Sequence, residues 1–174
     1  YRALYSTDTG GNYNVGIGYQ AGDNLTTGDY NYFVGREAGK NATTASHQLA
    51  IGYQSGGGYA SSTTTGGYSA IAIGYRALGN DTASYNIALG YNALRNNDDS
   101  NSYYVTAIQR EALYKARKTP HCVAIGYTSQ YENVHSEDNV SIGENSLKEA
   151  GYGILIDATS SSVVELTNNR FTIS

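Results

Sequence analysis

Residues 72–94 read AIGYRALGNDTASYNIALGYNAL, so the chain writes Ile-Ala-Ile-Gly-Tyr-Arg-Ala-Leu over 71–78 and Ile-Ala-Leu-Gly-Tyr-Asn-Ala-Leu over 87–94. Self-similarity at a fixed period is the mark of a stacked-repeat architecture, and the rest of the chain carries it. With the Gly of Ile-Gly-Tyr as anchor, the motif recurs at Gly18, Gly35, Gly52, Gly74, Gly90, Gly126 and Gly143, and Gln109 takes the place once. The spacings are 17, 17, 22, 16, 19, 17 and 17 residues. Eight units thus cover roughly residues 13–147, and Tyr1-Arg2-Ala3-Leu4 reads as the tail of another, so the chain is expected to be part of something longer.

Each column of the repeat has its own chemistry. One residue before the anchor stand Ile17, Val34, Ile51, Ile73, Leu89, Ile108, Ile125 and Ile142; three before it stand Val15, Tyr32, Leu49, Ile71, Ile87, Thr106, Val123 and Val140. Between them lie Gly16, Phe33, Ala50, Ala72, Ala88, Ala107, Ala124 and Ser141, nearly all small. Period-2 alternation of this kind predicts a short β-strand with two different faces. The aliphatic face is expected to fill an interior, and the small-residue face to let another backbone come close. Three residues after the anchor come Ala21, Ala38, Ser55, Ala77, Ala93, Ala112, Ser129 and Ser146, then Gly or Leu in seven of the eight units, which suggests a second short strand after a Gly turn. Asn14, Asn31, Asn86 and Asn139 precede the strand, where an Asn side chain can bond nearby backbone in a turn.

A helix does not fit, because apolar spacing of 3.6 is absent and Gly in every unit would cost about 1 kcal/mol per helical position. The pattern predicts an all-β parallel solenoid in which each unit is one coil, so that eight coils at ~4.8 Å per strand make a rod roughly 38 Å long. Two or three aliphatic side chains per coil, at about 1.5–3 kcal/mol each, barely offset the ordering of seventeen residues at about 1–2 kcal/mol each. The small-residue face therefore predicts association with sister chains.

Composition narrows the function. The 174 residues include 21 Gly and 18 Tyr but 1 Pro, 2 Phe, no Met and no Trp, which suits a narrow, regular interior with many turns. A net charge of −4 argues against a nucleic-acid partner, and no apolar run approaches the length of a membrane span. The basic residues Arg110, Lys115, Arg117 and Lys118 read as a solvated loop, and the single Cys122 excludes an intrachain disulfide.

Val-Ala-Ile-Gly-Tyr-Thr-Ser at 123–129, Ile-Ala-Ile-Gly-Tyr-Arg-Ala at 71–77 and Asn-Val-Ser-Ile-Gly-Glu-Asn-Ser at 139–146 resemble the head repeats of trimeric autotransporter adhesins of the YadA type. The variants at Ile87–Leu94 and Val15–Gly22 look like repeats of bacteriophage tail fibres and bacterial surface fibres. The resemblance covers about four fifths of the chain and implies a left-handed β-roll with three chains side by side. These coils are longer than the usual adhesin head repeat, so no adhesin's ligand specificity carries over. What the resemblance implies is a non-enzymatic, extracellular, homotrimeric segment of a virion tail fibre or bacterial surface that meets a glycan or protein receptor, without membrane insertion. A bacterial trimeric adhesin and a purely structural spacer are the alternatives. The roll is expected over 1–150, followed over 151–174 by a short ninth coil at Ile154–Ile156 and a strand pair at Val164–Leu166 and Phe171–Ile173.

Candidate contact residues follow from the tyrosines. Tyr19, Tyr53, Tyr75, Tyr91 and Tyr127 follow the anchor in a column that also accepts Arg36, Arg110 and Glu144, so it is expected to reach solvent. Stacked amphipathic rings there suit sugars or proteins. The enlarged loops at 56–67 and 95–103 add Tyr59, Asn97, Asp98 and Tyr103. No catalytic constellation, cofactor motif or metal site is expected. His47 and His121 occupy the column of Tyr13, Tyr30, Tyr85 and Tyr104, and His135 sits in a polar loop. The oxygen-rich stretch Asn96–Asn101 lacks the spacing of a calcium loop. Thr63, Thr64 and Thr65 do not recur from coil to coil as an ice-binding face requires.

Overall fold

The computed structural model describes residues 2–6, 11–57, 69–80, 84–96, 102–115, 117–132, 137–147 and the strand 154–156. It is an all-β parallel solenoid with no helix among these residues. Nine three-residue strands form one parallel sheet in chain order: β1 (Val15–Ile17), β2 (Tyr32–Val34), β3 (Leu49–Ile51), β4 (Ile71–Ile73), β5 (Ile87–Leu89), β6 (Thr106–Ile108), β7 (Val123–Ile125), β8 (Val140–Ile142) and β9 (Ile154–Ile156). The strand count, nine, differs from the eight anchors because β9 stacks on β8 although Asp157 follows it where a Gly would stand. The register sets Val15 on Tyr32, Tyr32 on Leu49 and so on to Val140 on Ile154, which is the column alignment of the repeat. The strand pair expected at Val164–Ile173 lies outside the described residues.

The two faces are the reverse of the sequence expectation. The strand centres Phe33, Ala50, Ala72, Ala88, Ala107 and Ala124 are fully buried, and the aliphatic residues flanking them point outward. Ile17 is 58% exposed, Tyr32 53% and Ile142 49%. The reason is width. A three-residue strand can turn only its central side chain inward, and the opposite wall stands so close that Ala is what fits. That wall supplies the buried Ala21, Ala38, Ala77, Ala93 and Ala112 together with Leu78, Leu94 and Leu113. The Ala column is therefore the core, not an intermolecular contact.

Interior volume is balanced coil by coil. Ala72, Ala88 and Ala107 share their coils with Leu78, Leu94 and Leu113, whereas Phe33 shares its coil with Gly39. A Cβ on Gly39 would run into the Phe33 ring, and one on Gly22 would meet Phe33 Cδ2 at 2.8 Å. Close packing leaves room for one large side chain per layer.

No second strand forms among the described residues. The wall after the anchor runs through turns, but it is hydrogen-bonded from coil to coil as regularly as the sheet. The N–H groups of Gly22, Gly39, Leu78, Leu94 and Leu113 donate to the carbonyls of Ala38, Ser55, Ala93, Ala112 and Ser129 at 2.8–3.0 Å. Each coil of β1–β8 makes this corner with left-handed backbone at a non-Gly residue: Gln20, Glu37, Gln54, Arg76, Asn92, Glu111, Thr128 and Asn145 have φ of 52–58°. The anchor itself needs Gly for a different reason. A Cβ on Gly18 would lie 2.6 Å from the carbonyl oxygen of Gly35, one coil on.

The pre-strand Asn14, Asn31 and Asn86 bond across coils. Asn31 Nδ2 donates to Ala45 O at 2.6 Å in the segment that leads into β3, and its Oδ1 accepts from Gln48 N–H at 2.9 Å. Asn86 repeats this with Ser102 O and Val105 N–H, both at 2.9 Å. Near the C-terminal end the interior turns polar, where buried Ser129, Ser141 and Ser146 bond one another at 2.6 and 2.8 Å.

Candidate interaction surface

In-register stacking places like residues over like at ~4.8 Å, so the outer face is a set of ladders. The two aliphatic columns of β1–β8 make a strip eight rows long and two side chains wide, flanked by an aromatic ladder on each side. At about 34 Å by 12 Å its footprint is about 400 Å², within the range of the largest apolar patch on an ordinary monomer.

The first ladder follows the anchor Gly. Tyr53, Tyr75 and Tyr91 stack at 5.3 and 4.9 Å with interplanar angles of 23° and 7°. Where Tyr gives way to Arg, the guanidinium takes the ring's place. Arg36 lies 5.5 Å from the Tyr19 ring and 5.8 Å from that of Tyr53; Arg110 lies 5.3 Å from Tyr91 and 5.6 Å from Tyr127. Each such contact contributes about 0.5–1 kcal/mol at an exposed site. Adjacent carboxylates hold these cations, with Arg36 Nε 3.4 Å from Glu37 and Arg110 Nε 3.4 Å from Glu111. Gln54 links onward, donating to Glu37 at 2.6 Å and accepting from Arg76 Nε at 2.8 Å.

The second ladder lies on the other flank, two residues before each strand. Tyr13 stacks on Tyr30 at 4.9 Å and Tyr30 on His47 at 5.2 Å; farther on, Tyr85 stacks on Tyr104 at 5.1 Å and Tyr104 on His121 at 5.8 Å. His121 Nδ1 lies 3.1 Å from Asp138, which occupies the next rung of the column. Both His residues thus stand in ring positions, as their column implied. A third, shorter stack pairs Tyr114 with Tyr131 at 5.1 Å and adds Arg95, whose Nη1 donates to the Tyr114 hydroxyl at 2.6 Å. Beside it Lys115 donates to Glu132 at 2.6 Å, and this hydrogen bond raises the Lys115 pKa. Of the basic residues read as one solvated loop, Arg110 and Lys115 are therefore engaged in separate ladders.

Of the candidate contact residues, Tyr19, Tyr53, Tyr75, Tyr91 and Tyr127 share the first ladder. Tyr103 stands apart from them, edge-on to Tyr104 at 5.4 Å and to His121 at 5.3 Å. Tyr59, Asn97 and Asp98 lie outside the described residues, as do His135 and Thr63–Thr65. The aliphatic strip is the surface that sequence reasoning turned inward. The strands end after three residues, which allows one inward side chain and makes the smallest column the inner one. Among the described residues no three His, Cys, Asp or Glu side chains cluster, and no helix is long and apolar enough to cross a membrane. No protein-family model matches the chain, and no curated protein or solved structure matches it either.

Proposed function

We propose that this chain is a non-enzymatic segment of a homotrimeric fibre, wound as a left-handed roll, that attaches a virion or cell to a target surface through a glycan or protein receptor. The observation that supports it is the aliphatic strip running the length of the sheet between two aromatic ladders. Water on Ile17, Ile51, Ile73 and Ile142 is unfavourable, and a parallel copy presents the same strip at the same rung spacing. Three copies place every outer ladder and loop on the fibre three times, so weak contacts add without a deep pocket. A phage tail fibre is the favoured setting, and a bacterial trimeric adhesin or surface fibre is the alternative.

One observation favours a purely structural spacer as a second reading. Rings stacked 4.9–5.3 Å apart cover one another's faces, leaving edges and hydroxyls for a ligand. The test has two parts. Sedimentation or light scattering should give three protomers for the wild type, and Ile51→Lys with Ile73→Lys should give folded monomers; an unchanged mass would remove the strip as the interface. Glycan-array or whole-cell binding that is lost on exchanging the 56–67 and 95–103 loops would favour the receptor binder, and absence of binding would favour the spacer.

A further inference from the structure

Among the described residues, the Ser69 rung of the second aromatic ladder carries no ring of its own. His47, Ser69 and Tyr85 each stand two residues before a strand, and the register of Leu49 on Ile71 on Ile87 sets Ser69 between the other two. The three share one backbone conformation, with φ of 59°, 55° and 62°. Ser69 N–H donates to Ser46 O at 3.0 Å just as His47 N–H donates to Asp29 O at 2.9 Å. The rung is therefore intact in its backbone and short only in its side chain.

His47 carries Tyr30 on one face and Tyr85 carries Tyr104 on one face. Their other faces look toward each other across Ser69, about 9.6 Å apart at two strand spacings. All three residues are exposed, and no further ring or cation stacks on His47 or Tyr85 among the described residues. The first ladder shows what such a gap accepts. Arg36 fills the space between Tyr19 and Tyr53, and Arg110 that between Tyr91 and Tyr127. In both cases a flat cation sits between two rings that are two coils apart.

We propose that the Ser69 rung is a slot for a guanidinium brought from outside the chain, an arginine side chain of a protein partner held between His47 and Tyr85. A guanidinium is planar and weakly hydrated, so it stacks on two faces at once, whereas a compact ammonium keeps its water. The chain's net charge of −4 favours a cationic partner over an anionic one. The slot does not depend on the attachment reading; it belongs equally to a spacer.

The experiment is an NMR titration of the full chain with Nα-acetyl-arginine methylamide, with the matching lysine amide and methyl glucoside as comparison probes. The arginine probe should show a saturable upfield shift of its δ-methylene, with ring shifts at His47 and Tyr85, and the lysine probe should bind at least fivefold more weakly. Ser69→Arg supplies the missing cation internally and should abolish the probe's shift with an unchanged or higher thermal midpoint, while Ser69→Ala should bind as the wild type does. Should Ser69→Arg misfold, His47→Ala removes one exposed wall and should weaken binding at least threefold. No saturable shift, shifts mapping elsewhere, indifference to Ser69→Arg or His47→Ala, or tighter binding of the glucoside would each overturn the proposal.

Discussion

Phe33 and Gly39 offer a quantitative test of how the interior is filled. Truncating Phe33 to Ala empties a fully buried ring site and should cost about 3–5 kcal/mol. Placing Leu at Gly39 alone drives a side chain into the Phe33 ring. The expected loss is about 1–3 kcal/mol for overpacking, plus about 1 kcal/mol because residue 39 has φ of 58°. The double variant recreates the Ala-and-Leu layer of Ala72 with Leu78 and of Ala88 with Leu94, where Leu already tolerates φ of 50° and 49°. Its deficit should be only about 1–2 kcal/mol, from the left-handed Leu and the small void left beside Gly22. The singles together lose about 7 kcal/mol, so the coupling should be about 5–6 kcal/mol, large for a contacting pair. Denaturant unfolding of all four proteins at one protomer concentration measures it, because self-association would otherwise shift the midpoints. Additive losses would refute the view that such a layer has room for only one large side chain and that either wall can supply it.

Three further outcomes are expected. Gln48 Oε1 is buried without a hydrogen-bond partner, where the shorter Asn31 and Asn86 bond to the next coil, so Gln48→Asn should raise stability by about 0.5–1.5 kcal/mol in the same unfolding assay. Gly74→Ala sets a Cβ against the carbonyl of Gly90 at a φ of 136°, and should cost about 2–4 kcal/mol by thermal or denaturant unfolding. Burial raises the Cys122 pKa; the unfolded chain therefore releases that proton first, and stability should fall as the pH climbs past the ordinary thiol range. Iodoacetamide labelling at pH 8 should accordingly be slow in the folded protein and fast in denaturant, and rapid labelling of folded protein would contradict the burial.

The repeat, its register and the exclusion of helix were legible because they depend on spacing alone. Gly18, Gly35 and Gly52 align in sequence and, one above another, in space. Which face points inward was not legible. Ile51 and Ile73 look like core by hydrophobicity, but a roll this thin has no room for two rows of them, and its width is set by the strand ending after three residues. Nor could the left-handed corners be read, since Glu37, Arg76 and Glu111 are not residue types that favour that conformation. The tyrosine ladder was foreseen as a solvent-facing column. That Arg36 and Arg110 would continue it followed from geometry: a guanidinium is flat enough to replace a ring.

Hydrogen bonds between coils run parallel to the rod, so a pull along the rod loads one coil's bonds at a time. A seventeen-residue coil contributes ~4.8 Å of length while wound, but roughly 56–61 Å once drawn out. Under tension from a terminus the rod would yield in steps, each release lowering the strain on the coils still wound.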